Sequence, residues 1–231
     1  MRVAIMQPYF FPYIGYFQLI SAVDKFIFYD DVNFIKGGWI NRNRLLHNGK
    51  AQYFTVPLVA ASSHKLIREV EIAYALDWLT PMFELLRHDY GKVQHYAEGH
   101  EILDRVLRSG ARTITEMAKS SVMSVCDYLG VRADFEMTST IYGNGMLRGA
   151  ARVLDICKRE GATQYVNLPG GRDLYNAEAF AEAGVTLAFL RPDLAAYPQR
   201  SDIFIPGLSI VDAMMHLGPN AAQQILAGSV E

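Results

Sequence analysis

The stretch RVAIMQPYFFPYIGYFQLISAVDKFIFY, residues Arg2–Tyr29, decides the fold class that this sequence predicts. Its first residues, Arg2–Met6, form an apolar run that is typical of a short buried strand, and Lys25–Tyr29 at its end has the same character. Between them, Gly15–Val23 carries apolar residues at helical spacing. Because a strand, a helix and a second strand follow one another so closely, we predict a βαβ unit of a parallel sheet with a right-handed crossover.

The segment after this unit predicts a β-hairpin. Trp39–Leu46 and Gln52–Val56 have strand-like composition and flank His47–Lys50, where Asn-Gly can supply the two positive φ angles of a type I′ turn. Farther along, Leu66–Ile72 alternates between apolar and polar residues. We therefore expect one more short strand there.

A long helical block interrupts the predicted sheet. Asp77–Leu129 divides at glycines into three predicted helices, of which Ile114–Leu129 is the clearest because its apolar residues share one face and Gly130 follows it. We interpret residues 75–131 as a helical insertion or subdomain within a single α/β domain, residues 1–231. Strands and helices then alternate again. The predicted strands are Asp134–Thr138, Thr163–Asn167 and Val185–Leu190, and the predicted helices are Gly145–Arg159, Leu174–Ala183, Ser209–Leu217 and Pro219–Leu226.

Composition is that of an ordinary globular protein and excludes some classes of function. The formal net charge is −2 over 231 residues, so we expect no nucleic-acid binding by bulk charge. Cys126 and Cys157 lack metal-ligand spacing, which argues against a zinc site or a disulfide scaffold and fits a reducing cytoplasm. Gln7, Pro8 and Pro12 interrupt the N-terminal apolar run before it takes the form of a signal peptide, and no run is long enough to span a bilayer. We expect a cytoplasmic protein with no membrane insertion and no metal.

Ligands of an open parallel sheet bind beyond the carboxyl ends of the strands, near the point where the strand order reverses. This rule selects four loop segments of the sequence, which are Gln7–Tyr13, Asp30–Lys36, Ser139–Asn144 and Asn167–Arg172. These segments hold much of the polar and glycine content that the predicted helices lack. The sequence therefore predicts a binding site where the four segments meet.

The first segment is aromatic and proline-stiffened, whereas a connection between a strand and a helix is usually short and polar. It either plugs the core or lines a pocket. We expect Phe10, Phe11 and Phe17 to pack in the core. The candidate binding residues here are Gln7, Tyr9, Tyr13, Gly15 and Tyr16, with Gly15 allowing the helix to begin close to a ligand.

The second segment belongs to YDDVNFIKGGWINRNR, residues Tyr29–Arg44, which combines paired acids, a lysine and an Asn-Arg-Asn-Arg run. A carboxylate there could orient or deprotonate a substrate amine, and a guanidinium could hold an anion; the alternatives are capping by the acids and a solvated hairpin. If the arginine run is a strand, side chains alternate, so only the asparagine pair or the arginine pair can face a ligand. The candidate catalytic residues are Asp31, Asp30 and Lys36, and the candidate binding residues are Asn33, Trp39, Asn41, Arg42, Asn43 and Arg44.

The fourth segment belongs to NLPGGRDLY, residues Asn167–Tyr175, which places two glycines between a strand and a helix. Backbone N–H groups at such a turn can approach a phosphate or carboxylate, although a tight turn with no ligand explains the glycines as well. The pattern is neither GxGxxG nor a P-loop, and the chain has no HExxH or GxSxG motif. The candidate binding residues are Asn167, Gly170, Gly171 and Tyr175.

Several blocks together resemble the WbqC-like protein family. They are MQPYFFPYIGYFQLI, DDVNFIKGGWINRNR, NGK, GATQYVNLPGGRDLY and LSIVDAMM, and the correspondence covers nearly the whole chain. Members of that family occur among bacterial polysaccharide genes, notably for O-antigen, and a glycine transferase role has been suggested for one. Gly37 departs from the family pattern, in which a basic residue is common, and this removes one anion contact.

A second similarity concerns Phe11–Ile20, FPYIGYFQLI, which resembles the HxGH element of nucleotidyltransferases and related ligases. Proline, glycine and Leu-Ile keep their spacing, but Tyr13 and Tyr16 replace both histidines. The resemblance implies a Rossmann-like (HUP/nucleotidyltransferase-like) parallel sheet with a β-hairpin insertion and an inserted helical subdomain. A neutral phenol donates a hydrogen bond but carries no positive charge, so adenylation by this element is not expected.

Three functions are compatible with these residues. The family context favours a transferase of bacterial surface-glycan biosynthesis that attaches a small acyl or aminoacyl group, such as glycyl, to an amino sugar on a nucleotide carrier. The alternatives are a non-catalytic binder of a glycan precursor and an ATP-dependent ligase or nucleotidyltransferase-like enzyme. The partner expected in each case is a small molecule such as a nucleotide sugar, no cofactor is required by the sequence, and the oligomeric state is open.

Overall fold

The computed structural model describes residues 1–225 and 227–231. In chain order its elements are β1 (Arg2–Met6), α1 (Ile14–Ala22), β2 (Lys25–Phe28), β3 (Arg42–His47), β4 (Lys50–Thr55), α2 (Leu79–Tyr90), α3 (Tyr96–Leu107), α4 (Ile114–Leu129), β5 (Asp134–Glu136), α5 (Gly149–Arg159), β6 (Gln164–Asn167), α6 (Ala177–Glu182), β7 (Thr186–Arg191), α7 (Ile210–Leu217), α8 (Ala221–Ile225) and β8 (Ser229–Val230). The predicted mixed α/β class is confirmed. The end of the predicted helix Pro219–Leu226 lies outside the described residues.

The central sheet has the strand order β5-β2-β1-β6-β7-β8 in the part of the chain that the structure describes. Neighbouring strands run parallel except β7 and β8, which pair antiparallel. Successive strands are added outward from β1 on one side, through β2 to β5, and then outward on the other side from β6 to β7. The strand order therefore reverses between β1 and β6, and the carboxyl ends of both strands meet at one edge of the sheet.

Both faces of the sheet are buried, which explains the continuous apolar runs of its strands. Along β1, Val3 and Ile5 belong to one apolar cluster, while Ala4 between them belongs to another. Phe26 and Phe28 of β2 pack with Ala4, and Ile27 packs with the opposite cluster. This alternation between two cores follows from the two-residue period of a strand.

The hairpin and the long helix form as predicted because their signals are local. Asn48 and Gly49 between β3 and β4 have φ values of 50° and 71°, as a type I′ turn requires. In front of α4, the Thr113 side chain accepts a hydrogen bond from the Glu116 N–H, and the Glu116 carboxylate accepts one from the Thr113 N–H. After α4, Gly130 takes a φ of 68° and ends the helix.

Several predicted boundaries were wrong. The predicted strand Leu66–Ile72 is instead a 3-10 turn at Ile67–Glu69, with single bridges from Leu66 to Asn33 and from Ile72 to Leu58. Ile67 and Val70 are both buried and lie three residues apart, which is the period of a 3-10 turn, and the Glu69 carboxylate accepts from the Leu66 N–H. In place of the predicted helix Leu174–Ala183, the structure has a 3-10 turn at Pro169–Leu174 followed by α6. The predicted strand Trp39–Leu46 begins later, so that Trp39–Asn41 precede β3. Helix α5 begins at Gly149 rather than at Gly145.

A buried carboxylate joins the end of the chain to the helical block. Asp212, in the first turn of α7, is fully buried. Its carboxylate accepts hydrogen bonds from the Tyr90 hydroxyl (2.7 Å), the Tyr197 hydroxyl (2.6 Å) and the Gln199 side-chain amide (3.0 Å). Since Tyr197 and Gln199 lie in the coil segment between β7 and α7, Asp212 fixes that segment against the rest of the protein. No helix in the described part of the chain is long and apolar enough to cross a membrane.

His216 predicts a pH dependence of stability. Burial lowers its pKa from the ordinary value near 6.5 and Arg200 lowers it further, against the opposing effect of Asp212. Stability from keeping this imidazole neutral is complete above pH ~6.5 and is lost as the pH falls below it, because the unfolded chain then binds a proton that the folded chain does not.

Urea unfolding between pH 8 and pH 5 measures the His216 contribution. In the wild-type protein the free energy of unfolding falls below pH ~6.5 with a slope of up to about 1.4 kcal/mol per pH unit from this one group. His216→Gln should flatten that part of the curve. Equal slopes for the two proteins would contradict the assignment.

Candidate functional site

A deep cleft of about 1290 Å³ opens at the carboxyl ends of β1, β2 and β6. Its wall includes Met6 at the end of β1, Tyr29 after β2 and Asn167 at the end of β6. The cleft therefore lies where the strand order reverses, as the rule for open sheets predicts. Loops after the strands, the hairpin and the first turn of α5 complete the wall.

Asp31 and Arg152 form an ion pair in this wall. The Arg152 Nη2 atom lies 2.5 Å from Asp31 Oδ2, the Arg152 Nη1 atom donates to the Asp31 carbonyl at 3.2 Å, and the Ser139 hydroxyl donates to Asp31 Oδ1. Arg152 is further held by the Asn144 side-chain oxygen, 2.8 Å from its Nε atom, and its guanidinium lies 5.0 Å from the centre of the Tyr29 ring. The carboxylate is thus fixed in position with its negative charge balanced.

The neighbouring acid, Asp30, has a different environment. It is 3% exposed and does not line the cleft. Lys119 of α4 donates to its Oδ2 atom at 2.7 Å, and the Thr138 hydroxyl donates to its Oδ1 atom at 2.9 Å. Asp30 joins α4 to the loop after β5, so a structural role accounts for this acid and its proposed contact with substrate has no support in the geometry.

The two arginines of β3 also differ. Arg44 lines the cleft, where its Nη2 atom donates to the Gly207 carbonyl at 3.0 Å and its guanidinium lies 5.7 Å from the Trp39 ring centre. Its buried Nε atom has no hydrogen-bond partner among the described residues. Arg42 instead folds back onto the Gly37 and Gly38 carbonyls. Arg44 therefore reaches the cleft with part of its guanidinium already hydrogen-bonded, while Arg42 stabilises the preceding turn.

The cleft carries an excess of positive charge. Among its described lining residues are four arginines and a single carboxylate, that of Asp31, which gives a formal charge of +3 on a chain whose net charge is −2. Arg68 and Arg148 are exposed at the cleft, and neither has a carboxylate within salt-bridge distance in the described part of the chain. Guanidinium groups without internal partners are suited to bind a phosphate or carboxylate of a ligand.

Aromatic side chains form the other major part of the wall. They are Tyr9, Tyr13, Tyr29, Trp39 and Tyr175. Burial, with a smaller effect of Tyr9, raises the pKa of Tyr13 to about 12, and burial also raises the pKa of Tyr9 and Tyr29. These phenols stay neutral near pH 7 and can donate hydrogen bonds while their rings stack on a flat ligand.

The start of α1 explains the glycine of the opening motif. A Cβ atom at Gly15 would lie 2.4 Å from the Tyr13 ring, so the glycine allows that ring to fold over the first turn of the helix and face the cleft. Tyr16 is completely buried, and its hydroxyl donates to the Gln7 carbonyl at 2.8 Å. The prediction that Tyr16 is a pocket residue was wrong. Its side chain contacts Gln7 and Tyr9 from inside the protein and so holds the loop after β1, and Gln7 and Tyr9 themselves line the cleft.

Gly15→Ala tests this role of the glycine. The added methyl group must displace the Tyr13 ring, and we expect a stability loss of about 1–3 kcal/mol from overpacking, together with weaker binding of any cleft ligand. Gly145→Ala is the matched control, since a Cβ there meets open space at the same cleft. Thermal unfolding and a crystal structure of each variant are the measurements, and an unmoved Tyr13 ring in Gly15→Ala would contradict the assignment.

The structure brings twelve of the eighteen candidate residues to the cleft: Gln7, Tyr9, Tyr13, Asp31, Asn33, Trp39, Asn43, Arg44, Asn167, Gly170, Gly171 and Tyr175. The other six, Asp30, Lys36, Gly15, Tyr16, Asn41 and Arg42, do not line it. The expectation that only the asparagine pair or the arginine pair could face the cleft was wrong, because Asn43 and Arg44 both line it. Asn41 precedes β3 and donates to the Val56 carbonyl, so the alternation of a strand does not apply to it.

The glycine turn after β6 also differs from its interpretation as an anion cradle. The Gly171 N–H donates to the Leu168 carbonyl at 3.0 Å and is not free for a ligand. A Cβ at Gly171 would lie 2.5 Å from the Asn167 side-chain nitrogen, so close packing requires the glycine. This turn shapes the cleft wall and places Asn167 in it.

Sequence reasoning missed three of the four cleft arginines. Arg148 immediately precedes α5 and Arg152 lies in its first turn. Both come just after the segment Ser139–Asn144 that the strand-end rule selected. Their spacing of four residues would have placed them on one side of that helix. Arg68 was hidden because its segment was interpreted as a strand.

Comparison with known proteins agrees with the sequence motifs. The model of the WbqC-like protein family matches residues 7–224, a range that includes Asp31 and all four cleft arginines. Rv1507c, an uncharacterized protein of Mycobacterium tuberculosis (strain ATCC 25618 / H37Rv), is 30% identical over 229 residues, which cover 95% of this chain and 95% of that protein. No solved structure matches the chain. The chain belongs to the WbqC-like protein family.

Proposed function

We propose that this protein is a transferase that binds a nucleoside-diphosphate-linked amino sugar in the cleft and attaches a small acyl or aminoacyl group, such as glycyl, to the sugar nitrogen. The observation that carries the proposal is the charge of the cleft, +3 at the strand ends of a chain that is negative overall. A diphosphate brings the negative charge that such a wall lacks.

The cleft offers separate partners for the parts of such a ligand. Arg44, Arg68 and Arg148 come from three different parts of the chain and line the cleft, and the exposed guanidinium groups of Arg68 and Arg148 are free to bind phosphate oxygens. Tyr13 and Trp39 offer ring surface for a nucleobase. The volume of about 1290 Å³ is ample for a nucleotide sugar together with the reacting group of a donor.

Asp31 is the carboxylate for the chemical step. In that step the amine nitrogen attacks the acyl carbon of the donor, a C–N bond forms, and the bond from the acyl carbon to the leaving group breaks with its electron pair on the leaving group. The amine proton passes to Asp31 and then to the leaving group. Arg152 balances the charge of Asp31 and keeps it aimed at the cleft.

The strand order supports a Rossmann-like sheet of the nucleotidyltransferase-like kind. Numbered along the chain within the parallel sheet, the strands from β5 to β7 have the order 3-2-1-4-5, and the cleft lies at the reversal. The same geometry weakens the ATP-dependent ligase as an alternative. Tyr16, at the second histidine position of the HxGH element, is completely buried and cannot contact a triphosphate.

The test is a transfer assay with purified protein. A panel of UDP- and dTDP-linked amino sugars is combined with glycyl and acetyl thioesters, and mass spectrometry looks for the N-acylated sugar nucleotide. We expect one donor and acceptor pair to give product. Binding of a nucleotide sugar with no product from any donor would favour a non-catalytic glycan-precursor binder and would overturn the transferase.

Asp31→Asn separates the chemical step from binding. We expect a loss of product formation by about 100-fold or more, since a positioned base contributes about 10²–10⁴-fold, with ligand affinity retained. Asp127→Asn, at an exposed acid paired with Arg132, is the matched control and should keep full activity. Thermal unfolding of both variants shows whether each is folded at the assay temperature.

A further inference from the structure

A second cluster of ligand-type side chains lies outside the cleft. His47 stands at the end of β3, and His88 and Asp89 stand in the last turn of α2. We propose that these three residues bind a divalent transition-metal ion, for which Zn²⁺ is the matching probe. Two imidazole nitrogens and one carboxylate oxygen are a ligand set that suits such ions, with a fourth position left for water.

The donor atoms already converge. Asp89 Oδ2 lies 2.7 Å from His47 Nδ1, and Asp89 Oδ1 lies 3.0 Å from His88 Nδ1. One donor atom from each residue lies within 4.8 Å of the other two. Ligand atoms around a tetrahedral zinc ion, with bonds of about 2.0–2.2 Å, are roughly 3.4 Å apart, so small rotations of the side chains would accommodate the ion.

Neighbouring groups hold the cluster in place. The Asn48 N–H donates to Asp89 Oδ1 at 3.2 Å, and the Asn48 side chain lies 3.1 Å from His47 Nε2, the ring nitrogen that faces away from the carboxylate. The Arg200 guanidinium donates to the Asp89 carbonyl at 2.9 Å. A partner that accepts from the far ring N–H orients a ligating histidine, and turning over the Asn48 side-chain amide would bring its oxygen to His47 Nε2 for that role.

Bound metal would link the tip of the hairpin to the end of α2. Asp89 is only 10% exposed, while the exposed fractions of His47 and His88 are 34% and 65%, so the cluster has one anchored ligand and an open side through which an ion can enter. Because β3 also carries Arg44, a metal at this position would stiffen the strand that supplies a cleft arginine. The site does not depend on the function proposed for the cleft.

The experiment uses the full chain without an affinity tag and titrates Zn²⁺ at pH 7.5. We expect about one equivalent to bind in calorimetry, and the melting temperature to rise by about 5–10 °C at a hundredfold excess over the dissociation constant. Co²⁺ in place of Zn²⁺ should give the intense visible bands of four-coordinate cobalt with nitrogen and oxygen ligands.

His88→Ala removes a mostly exposed ligand and should fold normally while losing the Zn²⁺ shift and the cobalt bands. His100→Ala, a histidine of α3 outside the cluster, is the matched control and should keep both. Absence of a Zn²⁺ effect in the wild-type protein would overturn the proposal, and so would an undiminished effect in His88→Ala. Either result would leave the cluster as a hydrogen-bonded group of Asp89 and the two imidazoles.

Discussion

Arg152→Met is expected to lower the free energy of unfolding by about 3–5 kcal/mol. The substitution leaves the Asp31 carboxylate, whose side chain is 12% exposed, without its counter-ion at 2.5 Å. It also removes the donor that the Asn144 side chain accepts from and the contact with the Tyr29 ring. An uncompensated charge at a partly buried position costs far more than an exposed ion pair contributes.

Urea unfolding of Arg152→Met measures this loss. Arg132→Met is the matched control, since Arg132 pairs with Asp127 on the surface and its removal should cost less than about 1 kcal/mol. The double variant with Asp31→Asn should recover part of the loss, because it removes the orphaned charge. A loss below about 1 kcal/mol in the single variant would contradict the ion pair as we describe it.

Asp212→Ala is expected to destabilise the protein by a similar amount, about 3–5 kcal/mol, because one buried and two half-buried donors lose a shared, fully buried acceptor. The hydroxyls of Tyr90 and Tyr197 and the amide of Gln199 all donate to this carboxylate. Tyr90 in turn accepts from the Leu46 N–H of the hairpin at 2.8 Å. The substitution therefore loosens the hairpin, α2 and the coil before α7 together.

Two further variants identify the source of the Asp212 effect. Tyr197→Phe removes one donor and keeps the ring, so it should cost only about 1–2 kcal/mol. Asp212→Asn keeps the shape and should fall between Tyr197→Phe and Asp212→Ala. If Asp212→Ala unfolds no more easily than Tyr197→Phe, the carboxylate is not the centre of the network.

Local signals carried the successful sequence predictions. The turn at Asn48 and Gly49, the helix α4 with its apolar face and final Gly130, and the βαβ unit at the N-terminus each depend on neighbouring residues, whose conformational preferences are visible in one segment. The strand-end rule located the cleft because parallel strands collect their loops at one edge whatever the identity of those loops. The mixed α/β class and the position of the cleft were therefore accessible from the sequence.

The features of the site that the sequence did not predict depend on contacts between residues that are distant in the chain. Asp31 faces the cleft and Asp30 does not because Asp30 pairs with Lys119 of α4 and Asp31 pairs with Arg152 of α5, two residues that are distant in the sequence. Tyr13 and Tyr16 look equivalent in the motif, but the helix turns one toward the cleft and the other into the core. Arg68 lies in a segment that makes three isolated bridges, from Leu66, Glu71 and Ile72, but forms no strand.

The central claim is that the unpaired arginines of the cleft bind the diphosphate of a nucleotide-linked sugar. Arg68 and Arg148 are the arginines to change, because both are exposed and their removal leaves the buried network of Arg152 intact. Arg105 and Arg132, exposed arginines outside the cleft, provide a control of equal charge change.

The most direct measurement is calorimetric titration of the wild-type protein with a panel of nucleoside diphosphate sugars, repeated with the tightest ligand on the Arg68→Met/Arg148→Met and Arg105→Met/Arg132→Met double variants. Hydrogen bonds to charged groups contribute about 1.5–3 kcal/mol each, so we expect the first variant to bind about 100-fold or more weakly and the second to bind like wild type. Equal affinity in all three proteins, or no binding of any nucleotide sugar by the wild-type protein, would contradict the account.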